Sequence, residues 1–180
     1  NFKAYIWLLS RVADERGMIV IAPSYGMGDW DAKHASSIVE RALDDAAQVV
    51  PVDTGHIHLA GLSNGGLGVS RVAASSVGSK FRSLIFISPV CDGVVLASHL
   101  FAANWRNKPV LVISGEADDR LPLEYVKRSA GTMRQSGASV ELTAYEQADH
   151  FLFFSDRDRC LNEISNWLGR ELALPPKEQK

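Results

Sequence analysis

The sequence is short of the features that mark most specialised classes of protein. It has only two cysteines in 180 residues, Cys91 and Cys160, and they stand outside any spacing that makes a redox pair or a metal site. They are expected to be buried or idle thiols, with a disulfide between them as the alternative. Neither sign of charge predominates: 19 basic and 21 acidic residues leave a formal net charge of -2. That balance excludes the basic surface of a nucleic-acid binder and a polybasic membrane patch. No apolar run approaches the roughly 20 residues needed to span a bilayer. There is no internal repeat, low-complexity block or linker. The His, Cys, Asp and Glu residues form no cluster with ligand spacing, so no metal is expected. The loop Gly26-Met27-Gly28 lacks the third glycine of a dinucleotide fingerprint and the lysine of a phosphate loop, so no nucleotide cofactor is expected either.

What is present is a core. Hydrophobic residues make up 46% of the chain, enough for one globular domain of this length. We place that domain at 1–174, with 175–180 as a frayed tail. The chain opens at Asn1 directly on a helical pattern, as a fragment or a processed product does. Any targeting segment would lie upstream, so the sequence assigns no compartment.

Hydrophobic periodicity orders the elements. Phe2, Ile6, Leu9 and Val12 mark a first helix, closed by Gly17. Met18–Ala22 reads as a short strand stopped by Pro23. A Gly-rich loop from Ser24 to Trp30 follows, then a helix carrying Ile38, Ala42, Ala46 and Val49. His56–Ala60 is the next strand, and a helix follows over roughly Gly65–Val77. Leu84–Ser88 is a third strand, and the connection from Pro89 to Lys108 holds a short helix. Val110–Ser114 and Val140–Tyr145 are the last two strands. Helices follow them, carrying Val126, Ala130 and Met133, and then Leu161, Ile164 and Leu168. Most strands are continuous apolar runs, as strands covered on both faces are. The expected architecture is a three-layer α/β/α sandwich with a mostly parallel sheet of about five strands. Ligands in such sheets bind at the carboxyl ends of the strands.

Three residues with matched chemistry fall at those ends. Gly61-Leu62-Ser63-Asn64-Gly65 lies between a strand and a helix, where a serine hydroxyl stands above the sheet beside a helix N-terminus. In this reading the first glycine lets the chain turn and the second lets strand and helix approach. Asp118 follows the fourth strand and His150 the fifth. A serine hydroxyl is a weak nucleophile near neutral pH and needs an imidazole to take its proton. The imidazole in turn needs a carboxylate to fix its tautomer. For the acid, Glu116, Asp119 and Asp92 are rivals of Asp118. Asp119 beside Arg120 reads as a local ion pair at a helix start. Among the histidines, His56 and His58 read as structural residues on one strand face, and His34 and His99 lie in irregular segments from which either could face a substrate. Tyr25 and Trp30 are candidate pocket-lining aromatics, or aromatics packed on the edge of the core.

The serine elbow (Gly61 to Gly66), the acid turn (Gly115-Glu116-Ala117-Asp118 with Pro122) and the loop Asp149-His150-Phe151 together resemble the α/β-hydrolase superfamily. The chain looks most like its small esterases, of the phospholipase/carboxylesterase and dienelactone-hydrolase type. The resemblance implies a Ser63–His150–Asp118 triad acting on a small-molecule ester without a cofactor. The backbone N–H of Asn64 would be one oxyanion donor. In that family a strand and a glycine-bearing loop precede the first helix and supply the other donor, and here that segment is expected upstream of Asn1. The alternatives are a thioesterase, lipase, acyltransferase or peptidase, and a non-catalytic module of the same fold.

Overall fold

A computed structural model describes residues 2–23, 30 and 32–173. Eight α-helices and four strands are found among them: α1 (Phe2–Arg16), α2 (Ala32–Val49), β1 (His58–Leu62), α3 (Gly65–Ala73), β2 (Ser83–Ile87), α4 (Gly93–Leu96), α5 (His99–Trp105), β3 (Pro109–Gly115), α6 (Leu123–Gln135), β4 (Ser139–Tyr145), α7 (Leu152–Ser155) and α8 (Arg157–Ala173). The strands form one sheet in the order β1-β2-β3-β4. Every pairing is parallel, with Leu59 opposite Leu84, Leu84 opposite Val110, and Val110 opposite Val140.

The alternation of side chains across the strands builds two cores. Leu84, Phe86, Val110 and Val112 point to one face and pack with α2, α3, α5 and α6 through Val39, Val72, Trp105 and Met133. Ile85, Ile87, Leu111 and Ile113 point to the other and pack with α1 and α8 through Leu8, Val12, Ile164 and Trp167. β2 and β3 are buried along their whole length, which is why both read as unbroken apolar runs. The layers are therefore α/β/α. α1 and α8 are also joined by polar contacts, with Arg11 bonded to Asp158 at 3.0 Å and Arg16 to Ser165 at 2.8 Å.

Helix ends follow local chemistry. Gly17 closes α1 at φ 64° and Gly137 follows α6 at φ 96°, conformations that cost a glycine little. Cys91 and Cys160 are free and buried, one in each core. Burial pushes their thiols up to about 11 and about 12.

Four expectations from the sequence are corrected. Met18–Ala22 is not a strand, so the sheet has four strands rather than five among the described residues. The segment has a strand's composition, but a strand also needs a hydrogen-bonded neighbour. Here Met18 N–H turns back to Ala13 O at 2.8 Å. Residues 18–23 and β1 instead share the walls of a trough of about 620 Å³. The strand before the serine elbow begins at His58 rather than His56. His56 closes a 3-10 turn, Thr54–His56, whose Asp53 cap accepts Gly55 N–H and the His56 ring at 2.7 Å. The helix after the elbow ends at Ala73, and a 3-10 turn over Ser76–Lys80 follows it. The connection before β3 holds two short helices, α4 and α5, rather than one. The expected tail, 175–180, lies outside the described residues.

Candidate active site

Ser63, Asp118 and His150 lie just past the carboxyl ends of β1, β3 and β4, and parallel pairing brings those ends to one edge of the sheet. Ser63 follows β1 with φ 50°, in the left-handed region that a serine enters at a cost of about 1–3 kcal/mol. Its backbone is held on both sides. Ser63 N–H donates to Ile87 O at 2.9 Å, and Ser63 O accepts from Gly66 N–H and Val90 N–H, each at 2.9 Å. The loop after β2 is thus a brace for the elbow.

The close-approach role expected of the second elbow glycine falls to the first. A Cβ on Gly61 would meet Gly65 O at 2.5 Å and Val69 Cγ2 at 2.7 Å, whereas one on Gly65 would meet nothing within 4 Å. The first glycine therefore permits the close approach of strand and helix. Asn64 is the N-cap residue of α3 and makes no side-chain cap. Its N–H belongs to the opening turn of that helix, directly after the serine.

Asp118 is 4% exposed. Its Oδ1 accepts Arg120 N–H at 3.0 Å and Leu121 N–H at 2.8 Å. Its Oδ2 accepts the Nδ1–H of His150 at 2.8 Å. With that proton on Nδ1, His150 Nε2 is left as an acceptor, and Ser63 Oγ–H donates to it at 2.8 Å. The side chains of His150 and Asp118 are 9% and 0% exposed, so little water competes for these bonds. The acid turn and the histidine loop are tied together, with Glu116 N–H bonded to Tyr145 O and Ala117 N–H to Ala148 O, both at 3.0 Å. A Cβ on Gly115 would collide with Ala148 O, so a glycine is needed where the two turns cross.

The rival residues are placed elsewhere. Asp92 accepts from Arg71 at 3.2 Å and caps α4 through Val95 N–H. Glu116 and Asp119 are exposed, and neither bonds to His150. The expected Asp119–Arg120 ion pair does not form. The Arg120 guanidinium instead lies over the Phe151 ring, 4.8 Å from its centroid. His34 and His99 stand exposed on α2 and α5. His58 Nδ1 bonds Ser83 Oγ at 2.6 Å, and burial, with Arg82 and His56 adding to it, pulls this imidazole down to about 4.

Trp30 packs against α3, where a Cβ on Gly68 would strike its ring at 2.7 Å. With Leu62, Asn64 and Gly65 it lines the trough that runs along β1 to the elbow. Tyr25 lies outside the described residues. Sequence reasoning missed the Arg120–Phe151 pair and the brace at Val90. Among the described residues no three His, Cys, Asp or Glu side chains could hold a metal ion, and no helix is long and apolar enough to cross a membrane.

Comparison with known proteins adds a class to this geometry. The model of the prolyl oligopeptidase family matches residues 94–174, a stretch that includes Asp118 and His150. An uncharacterized peptidase of Bacillus subtilis (strain 168), YuxL, is 32% identical over 76 residues, covering 40% of this chain and 11% of the relative. A predicted CIB-like hydrolase of Thermoplasma acidophilum superposes with a TM-score of 0.61 at 18% identity, over 82% of this chain and 64% of that one. The esterase Est2 of Thermogutta terrifontis gives 0.61 at 19%, over 86% and 71%. The acylaminoacyl peptidase of Pyrococcus horikoshii gives 0.64 at 15%, over 80% and 28%. The chain thus spans about a tenth of the curated relative it matches and under two thirds of the Thermoplasma chain. It has the α/β-hydrolase fold. The proteins it is similar to carry the names of both esterases and peptidases.

Proposed function

We propose that this chain carries the active site of a serine hydrolase that cleaves a carboxylic ester. The observation that carries the reading is the unbroken chain of hydrogen bonds from Ser63 Oγ through His150 to Asp118. Ser63 Oγ attacks the ester carbonyl carbon while its proton passes to His150 Nε2. Asp118 stabilises the imidazolium that results. The negative charge on the carbonyl oxygen falls to the Asn64 N–H, at the positive end of α3. The tetrahedral intermediate collapses, the bond to the alcohol oxygen breaks, and His150 returns the proton to that oxygen. A water molecule then gives a proton to His150 and attacks the acyl-serine. Collapse of this second intermediate releases the carboxylic acid and restores Ser63 Oγ–H. Ester and water become acid and alcohol, and no cofactor is required. Trp30, on the trough beside the elbow, is assigned to the substrate wall.

The partial match to the prolyl oligopeptidase family supports a second reading, in which the same serine cleaves an amide. The two differ in the leaving group that His150 must protonate, an amine instead of an alcohol. A panel of p-nitrophenyl esters of rising acyl length, assayed beside acyl-amino-acid p-nitroanilides, decides between them. The ester reading expects turnover of the short-chain esters and little of the anilides, lost in Ser63→Ala. Preferential cleavage of the anilides would replace it with the peptidase reading.

A further inference from the structure

We propose that Arg120 and Phe151 form an anion-accepting subsite at the mouth of the Ser63 site, selecting acyl substrates that carry a carboxylate away from the scissile bond. The inference deepens the hydrolase reading and rests on it.

Arg120 stands two residues after Asp118, and its own N–H is bonded to Asp118 Oδ1. Its side chain leaves the acid turn and lies over the Phe151 ring. Phe151 is the residue after His150, and its ring meets the imidazole edge to face, with centroids 5.8 Å apart and planes at 81°. A single aromatic ring therefore separates a fixed positive charge from the imidazole that bonds Ser63. Phe151 is 48% exposed and Arg120 is exposed, so both reach solvent beside His150.

The cation is uncommitted. Glu116, Asp119 and Asp149 lie on the same two turns, yet among the described residues no carboxylate is within ion-pair distance of the Arg120 guanidinium. Arg11, Arg71 and Arg170 on other surfaces each have one. An arginine resting on an aromatic face has its charge favoured by the ring while its N–H edges remain available. Those edges match a carboxylate in a two-point fork. One guanidinium balances one negative charge, which favours a carboxylate monoanion over a phosphate dianion. The exposed part of the Phe151 ring offers apolar contact to the carbon chain between that carboxylate and the ester.

The test uses Ser63→Ala protein, which cannot turn its ligand over. Dissociation constants are measured for mono-p-nitrophenyl glutarate and for p-nitrophenyl butyrate, a neutral ester with a similar acyl chain. The measurement is made with Arg120 intact, with Arg120→Gln and with Arg120→Lys. We expect Arg120→Gln to weaken glutarate binding about tenfold more than butyrate binding, the scale of an exposed charge-assisted contact. Arg120→Lys should recover most of that difference. Equal weakening of both esters would reduce Arg120 to a clamp on the histidine loop and overturn the proposal. So would no change in either, or no binding of glutarate with Arg120 intact. Failure of the hydrolase reading is seen separately, in the reactivity of Ser63 toward a covalent probe.

Discussion

The Asp118 carboxylate spends one oxygen on the His150 ring and the other on its own turn. Oδ2 accepts His150 Nδ1–H at 2.8 Å, while Oδ1 accepts the N–H groups of Arg120 and Leu121. The acid is thereby fixed in orientation before it fixes the imidazole. In Asp118→Asn the amide can present a donor to Nδ1, which favours the tautomer with its proton on Nε2, pointing at Ser63. We expect kcat on a p-nitrophenyl ester to fall by about 10³–10⁴. A steady-state assay checks this, with circular dichroism to confirm that the fold survives.

Gly61→Ala and Gly65→Ala should behave oppositely, although both change a glycine of the same pentapeptide. The first places a Cβ 2.5 Å from Gly65 O, and the second places one in open space at the start of α3. Thermal unfolding should show Gly61→Ala destabilised by about 1–3 kcal/mol. Gly65→Ala should lie within about 1 kcal/mol of the parent, since alanine is also the better helix former.

His58 makes stability depend on pH. Its imidazole titrates at about 4 in the folded chain, against an ordinary value of 6.5. Between those values the unfolded chain binds the proton and the folded chain does not, so stability is lost as pH falls from about 6.5 toward 4. The contribution is up to about 3 kcal/mol. Urea unfolding across that range, compared with His58→Gln, should show a shallower slope in the variant. Parallel slopes would remove His58 from the account.

Cys91 and Cys160 should resist alkylation. Both are buried, and their thiols are raised to about 11 and about 12, so almost no thiolate exists near pH 8. Iodoacetamide should modify neither in the native protein and both in denaturant, as read by intact mass.

The candidate site is legible in the sequence because its three residues follow three strands, and strand ends are marked locally by apolar runs that stop. Ser63, Asp118 and His150 could be placed without knowing any contact. Gly17 marks a helix end for the same local reason. The misreadings involve partners distant in sequence. Met18–Ala22 has a strand's composition, but pairing is a property of the neighbour, and the trough beside β1 is not written in those five residues. The sequence pairs Arg120 with the adjacent Asp119, whereas its ring partner, Phe151, lies 31 positions on. The roles of Gly61 and Gly65 depend on where α3 sits against β1, which the pentapeptide alone does not specify.

The central claim is that Ser63 is a nucleophile activated by His150. Treating the protein with a fluorophosphonate probe and mapping the adduct by mass spectrometry tests it most directly. The account predicts one adduct, on Ser63, absent in Ser63→Ala and strongly slowed in His150→Ala. No adduct on the folded protein, or equal labelling of Ser63→Ala, would contradict it.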